Sequence, residues 1–268
     1  MTGANEGGEA RRPHDIESFI AATGVSRETA LRFEAWRALL EKWSTRINLV
    51  GASTREAFWT RHALDSIQVV DIAPKSDDPF HVQRWIDLGS GAGFPGLAAA
   101  IALDGAGRRV EVHLVEANAK KAAFLREAAR ATGAPVVVRA MRIEDLGQKT
   151  SHVKSGPRTT TPWAGGRGTG SAAAAEADAA GAAMGTAGEG GFDVVTARAC
   201  APLTRLLGYA QCLWKETTVG VFLKGREAEA ELTGAAKSWR FQFELQPSRS
   251  DPTGRVVLIE RLEHVQVT

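Results

Sequence analysis

Apolar residues first recur at three- and four-residue spacing, where Trp36, Leu39, Leu40, Trp43 and Ile47 fall along one stripe of a helix. Ser26, ahead of that run, is a residue type that caps helix N-termini. A second helix is predicted from Arg55 to Val70, and Pro74 to Pro79, rich in Pro and Asp, reads as a loop. A helical region over residues 15–80 thus precedes everything else.

The pattern then changes to short apolar runs. Trp85 to Leu88 is a strand leading into a Gly-rich turn and an apolar helix from Leu97 to Leu103. Arg109 to Glu116 alternates as a second strand, Lys120 to Thr132 follows as a helix with Ala123, Phe124, Ala128 and Ala131 on one face, and Val136 to Arg139 is a third strand. These spacings suit βαβαβ with right-handed crossovers. Phe192 to Thr196 predicts a fourth strand, followed by the turn Ala197 to Pro202 and a helix through Leu213. Val219 to Lys224 is a fifth strand, Glu227 to Lys237 a helix, and Phe241 to Leu245 with Arg255 to Arg261 a closing hairpin. The fold class expected is α/β: a Rossmann-like, mostly parallel sheet with an antiparallel closing strand and an N-terminal helical region. The second unit spans 81–268, interrupted at 147–191 by a Gly-, Ala- and Thr-rich segment that lacks large apolar residues and reads as a surface insertion.

Composition narrows the class. The chain has 268 residues, 44% of them hydrophobic, enough for a substantial core. No apolar run approaches the roughly 18 residues that span a bilayer, and the first dozen residues lack the apolar core of a signal peptide. Two cysteines, Cys200 and Cys212, stand at no metal-ligand spacing, so no metal is expected and a reducing, cytoplasmic setting is. A net charge of +2 permits a polyanionic partner without demanding one.

The candidate chemistry lies in Asp87 to Gly96. Gly91, Gly93 and Gly96 satisfy the dinucleotide pattern G-x-G-x-x-G, while Asp87 with Gly89, Gly91 and Gly93 satisfies D-x-G-x-G-x-G, the methyltransferase form. An ionised Asp87 would repel a pyrophosphate but can help hold the cationic amino-acid portion of S-adenosylmethionine, directly or through water. Glu116, 20 residues after Gly96, can accept both ribose hydroxyls of either ligand. Glu144 follows the third strand, where such folds commonly contact adenine, and Asp193 opens the fourth. A nicotinamide-dependent oxidoreductase therefore remains the rival reading of the turn.

Several segments together resemble the GidB or RsmG family of bacterial methyltransferases, which modify guanine N7 in 16S ribosomal RNA of the small subunit. They are Leu39-Leu-Glu-Lys-Trp43 leading to Asn48-Leu49, Arg61-His-Ala-Leu-Asp-Ser66, Ile86-Asp-Leu-Gly-Ser-Gly-Ala-Gly-Phe-Pro-Gly96, Arg142-Ile-Glu-Asp145, Thr196-Ala-Arg-Ala199 and Phe222-Leu-Lys-Gly225. The resemblance covers residues 31–146 and 192–262, and the 147–191 insertion departs from it. It implies that Gly89 and Phe94 line the cofactor site, that Ile143 and Glu144 contact the adenosine, and that Glu116 accepts from the ribose. It places Arg198 beside the methionine portion or the target base, and puts Arg61, His62, Asp65 and Ser66 in a wall between helical region and sheet.

Guanine N7 has a free lone pair, so no general base is required, and Arg198 is suited to positioning the base, gripping O6 or a phosphate, unless an ion pair with Asp193 or Glu144 occupies it. Lys224, with Arg61, His62, Lys120, Lys121 and Arg226, is a candidate contact to RNA. The expected assembly is a monomer. A small-molecule or protein acceptor, and a non-catalytic RNA-binding module, are the other rivals. Which guanine is modified, and whether naked RNA or an assembled subunit is the substrate, lie beyond the sequence.

Overall fold

Alternation along the strands sorts side chains onto two faces, and each face is covered by its own set of helices. The computed structural model describes residues 12–76, 78, 80–147 and 191–265. The expected insertion at 147–191 therefore falls, but for its two end residues, outside the described residues, as do positions 77 and 79 of the Pro74–Pro79 loop.

The chain opens with α1 (Ile16–Thr23), α2 (Arg27–Ser44) and α3 (Ala52–Arg55), then a π-helical stretch, Phe58–Leu64, that runs directly into α4 (Asp65–Ile72). Ser26 caps α2 by accepting from the Thr29 amide at 3.1 Å. The continuous helix expected over Arg55 to Val70 is corrected here: its first half is wound with the wider π pitch, which hydrophobic spacing over so few residues does not reveal.

Next come β1 (Gln83–Leu88), α5 (Gly96–Gly105), β2 (Val110–Val115), α6 (Ala119–Thr132) and β3 (Val136–Arg139). The second half is β4 (Val194–Arg198), α7 (Leu203–Ala210), β5 (Val219–Lys224), α8 (Ala228–Ala235) and the hairpin of β6 (Trp239–Pro247) and β7 (Arg255–His264). The predicted helix through Leu213 ends as a 3-10 turn over Gln211–Leu213.

The strands form one sheet in the order β3-β2-β1-β4-β5-β7-β6. The first five strands run parallel, and β7 is antiparallel to both of its neighbours, as the expected fold class requires. Trp85, Val112, Leu114 and Val194 point to the face covered by α2, α4, α5 and α6, while Ile86, Leu88, Val195 and Phe222 point to α7 and α8. The N-terminal helices share one buried cluster with that first face. Phe94 of the Gly-rich turn lies 4.5 Å from Trp36 of α2, centroid to centroid. Aromatic pairs of this kind add roughly 0.5–1.5 kcal/mol beyond their area, so the helical layer is fastened directly to the turn. Among the described residues, no helix is long and apolar enough to cross a membrane.

Strand order reverses between β1 and β4, and in open sheets ligands bind beyond the carboxyl ends of strands at such a point.

Candidate active site

The turn after β1 sits at that reversal. Gly89, Gly91 and Gly93 have φ of 72°, 57° and 102°, the left-handed region that costs glycine least. Gly96 is required for a different reason: a Cβ there would lie 2.5 Å from Leu114 and 2.6 Å from the Asp87 Cβ, so α5 can approach the sheet only without one. Above Gly91 the space is open, with nothing nearer an added Cβ than the Gly89 carbonyl at 3.9 Å.

Asp87 lies beneath this turn, fully buried, rather than at its mouth. Its Oδ1 accepts from the Thr196 hydroxyl at 2.8 Å, whereas Oδ2, against Gly96, has no hydrogen-bond partner among the described residues. Burial pushes its carboxyl up to about 6, against the lowering pull of the Ser90 and Thr196 hydroxyls. Buried there, Asp87 leaves no surface for direct contact with a cationic ligand, and of the two forms expected the water-mediated one stays open.

Glu116, at the end of β2, accepts from the Gly91 amide at 2.9 Å through Oε2 and from the Asn118 amide at 2.7 Å through Oε1. Each carboxylate oxygen has two lone pairs, so both retain capacity for a ribose hydroxyl. Ile143 packs beside Gly89, its Cδ1 3.7 Å from where a Cβ would stand. Glu144 is more exposed and accepts from the Tyr209 hydroxyl at 3.0 Å; its own backbone amide, then Tyr209, hold its carboxyl below the usual range. Open space over Gly91, acceptors on Glu116 and an apolar flank at Ile143 fit a nucleoside-bearing cofactor.

On the other side of the reversal is a cavity of about 500 Å³, within the size range of small-ligand sites. Three ion pairs wall it, each joining two chain segments. Arg198, at the end of β4, contacts Asp65 at 3.1 Å; Arg61 contacts Asp251 of the β6–β7 loop at 3.1 Å; Lys224, at the end of β5, contacts Glu231 of α8 at 2.7 Å. Cys200, whose Sγ would lie 2.5 Å from a Cβ on Gly89, stands between cavity and turn.

Three of the five N–H donors of Arg198 are taken. Its Nη1 donates to Asp65 and to the Arg61 carbonyl at 3.1 Å, its Nη2 to His62 Nδ1 at 3.2 Å, and its guanidinium lies 4.6 Å above the Phe94 ring. The alternative considered for Arg198, an ion pair with Asp193 or Glu144, is not what forms: its partner is Asp65, which follows the π-helical stretch. Asp65 is in turn held by Ser250 at 2.5 Å and by Gln68 at 3.1 Å. His62 stacks on Phe94 at 4.6 Å, and burial, with the cations Arg198 and Arg61, pushes it down to about 3. It is neutral at physiological pH and accepts through Nδ1. Phe94 itself is buried between Trp36, His62 and Arg198, a wall element rather than an open lining.

Two further expectations are corrected. Lys224 is no exposed phosphate contact: its side chain is 7% exposed, and Nζ donates to the Ala201 carbonyl at 2.8 Å and to Glu231. Asp193, because it opens a parallel strand, lies at the amino edge, away from the cleft, where it accepts from the Arg84 amide at 2.7 Å, Lys215 at 2.6 Å and His81 at 3.2 Å. Lys120, Lys121 and Arg226 have no acidic partner within ion-pair distance among the described residues. Asn118 caps α6 beneath the two lysines. Sequence reasoning missed Glu231, Asp251 and Ser250, which reach the cavity from α8 and the hairpin loop. Groups of three or more His, Cys, Asp or Glu able to hold a metal are absent among the described residues.

Comparison with known proteins adds the following. A family model described as GidB, rRNA small subunit methyltransferase G, matches residues 30–155. The ribosomal RNA small subunit methyltransferase G of Parvibaculum lavamentivorans is 43% identical over 249 residues, covering 92% of this chain and 90% of that protein. The protein of the same name from Methylobacterium nodulans is 41% identical, covering 92% and 96%, and that from Caulobacter vibrioides 38% identical, covering 94% and 92%. Among solved structures, cofactor-bound Rv0187 from MTB aligns with 94% of this chain and 99% of its own, at 15% identity and a TM-score of 0.47, too loose a likeness to carry an argument.

Proposed function

Because the chain belongs to the ribosomal RNA small subunit methyltransferase G family, we propose that it transfers the methyl group of S-adenosylmethionine to N7 of a guanine in 16S ribosomal RNA. The observation that carries this reading is the juxtaposition at the strand reversal: a left-handed glycine turn with Glu116 on one side, and the ion-pair-walled cavity on the other.

The turn from Gly89 to Gly93, Glu116, Ile143 and Glu144 would hold the cofactor, which supplies an activated methyl on a sulfonium. The protein's task is then alignment and exclusion of water. N7 needs no deprotonation, and neutral His62, already accepting from Arg198, is not placed as an acid or base. Arg198 positions Phe94 and the π-helical stretch against the cavity. As positive charge passes to the purine, the carboxylates of Asp65, Asp251 and Glu231 around the cavity favour it. We read the protein as cytosolic, its two cysteines being free. Exposed Lys120 and Arg226, with half-buried Lys121, serve as RNA phosphate contacts.

The test is transfer of labelled methyl from S-adenosylmethionine to small ribosomal subunits lacking the modification, followed by nuclease digestion. The expected product is 7-methylguanosine. Cofactor binding without transfer to RNA would overturn the assignment and leave the small-molecule or protein acceptor.

A further inference from the structure

We propose that Lys224 and Glu231 together read the Watson–Crick edge of the acceptor guanine, and so choose the base. This rests on the guanine-N7 reading above. The argument is one of remaining hydrogen-bond capacity. A base entering the cavity meets Arg198, three of whose five N–H groups are taken by Asp65, the Arg61 carbonyl and His62, and Arg61, which is paired to Asp251; guanidinium groups only donate, so neither can take a proton donated by the base.

The Lys224–Glu231 pair differs. Both oxygens of Glu231 are available in principle, but only Oε2 is used, accepting from Lys224 at 2.7 Å and from the Leu203 amide at 2.6 Å at the start of α7. Oε1 has no partner among the described residues and is not among the buried, unpartnered atoms, so it is an open acceptor on a residue that lines the cavity. Lys224 has three N–H donors, of which Ala201 and Glu231 take two. The pair is anchored from behind and offers, side by side, one donor and one acceptor.

Guanine presents the complementary order along its Watson–Crick edge: O6 accepts and the adjacent N1–H donates. Adenine presents the reverse, an amino donor beside the N1 lone pair, which would set Lys224 against an N–H and Glu231 against a lone pair. A site built to satisfy such groups rejects the wrong base because its own buried groups would be left unpaired. A base turned out of its stack is commonly read on this edge. N7 lies on the far side of O6 from N1, so gripping O6 and N1–H leaves N7 free to face the methyl group. The role given to Lys224 by sequence, a phosphate contact, becomes a base contact.

The experiment uses the full-length protein and small subunits reconstituted with the mapped target nucleotide as guanosine, inosine or 2-aminopurine riboside. Inosine keeps O6 and N1–H and loses only the 2-amino group; 2-aminopurine keeps that group and N7 but loses O6 and N1–H. Transfer to inosine is expected within about tenfold of guanosine, and transfer to 2-aminopurine to fall by about 100-fold or more, the scale of losing a bidentate base contact. Glu231→Gln should lower kcat/KM on guanosine subunits by about 100-fold, a hydrogen bond to a charged group being lost, with S-adenosylmethionine affinity by calorimetry unchanged. Equal use of 2-aminopurine and guanosine, refusal of inosine, or full activity in Glu231→Gln overturns base reading by this pair. Failure of the wild-type protein to methylate guanosine subunits would instead sink the functional reading beneath it.

Discussion

Asp87 and Asp193 stand on adjacent parallel strands at opposite edges of one sheet, and their surroundings have opposite character. At the amino edge Asp193 is saturated by a main-chain amide, an ammonium and an imidazole. Burial pushes its carboxyl up, but Lys215 and the Arg84 amide outweigh it and leave the group below the usual range. At the carboxyl edge Asp87 has one hydroxyl on Oδ1 and nothing on Oδ2, and burial prevails. One aspartate ties the sheet together at its amino edge; the other is buried and half-satisfied beneath the turn where a ligand would lie. Under-satisfied polar groups of this kind mark sites where the fold gives up stability for function.

The contrast yields three predictions. The largest effect is expected for Gly91→Asp. Aspartate tolerates left-handed φ, and the space above Gly91 is open, so the fold should survive while the new carboxylate occupies the proposed cofactor space. Calorimetry should show S-adenosylmethionine binding weakened by at least about 1,000-fold, roughly 4 kcal/mol. Unchanged affinity would move the site away from the turn.

Asp193→Ala should cost about 3 kcal/mol of stability, since Lys215 and the Arg84 amide lose their acceptor together. Denaturant titration measures it, and methyl transfer at a permissive temperature should be unaffected. Loss of activity in a folded variant would show that the amino edge is not merely structural.

The smallest effect concerns pH. Asp87 has a folded-state pKa near 6 against an ordinary 3.8, so the native state binds more protons than the unfolded chain between those values. The stability that its protonated form contributes is complete below about 4 and is lost as pH rises through about 6. Asp87→Asn has no such titration. The gap between the two proteins should shift against the wild type by up to about 3 kcal/mol from roughly pH 4 to pH 7. A constant gap would mean that Asp87 is solvated or paired.

Much of the architecture was legible because local signals carried it. Alternation in Val110 to Val115 and glycine spacing after Asp87 each rest on neighbours in sequence, and the strand, turn and helix stand where those signals put them. The site was less legible because its contacts are distant in sequence. Arg198 meets Asp65 across 133 positions, and Asp65 meets Ser250 across 185. No composition or period encodes such a pairing. Asp193 was misplaced for a different reason: a residue that opens a parallel strand must lie at the edge opposite the ligand cleft, a geometric consequence available from the sequence itself. Lys224 looked like an exposed cation because its counterion is on the following helix, with the intervening turn giving no sign that the chain folds back.

The π-helical stretch imposes a constraint of counting. An ordinary helix advances about 100° per residue, so removing one residue between Phe58 and Leu64 would let the segment relax to standard pitch while turning everything before the cut by about that angle relative to Asp65. A cut at Ala63 would swing the Arg61 carbonyl and the His62 ring away from Arg198 even if every remaining side chain were unaltered. Replacement in this segment can therefore be graded, residue by residue, whereas deletion is all or nothing: the latch between helical layer and sheet depends on the number of residues as much as on their identity.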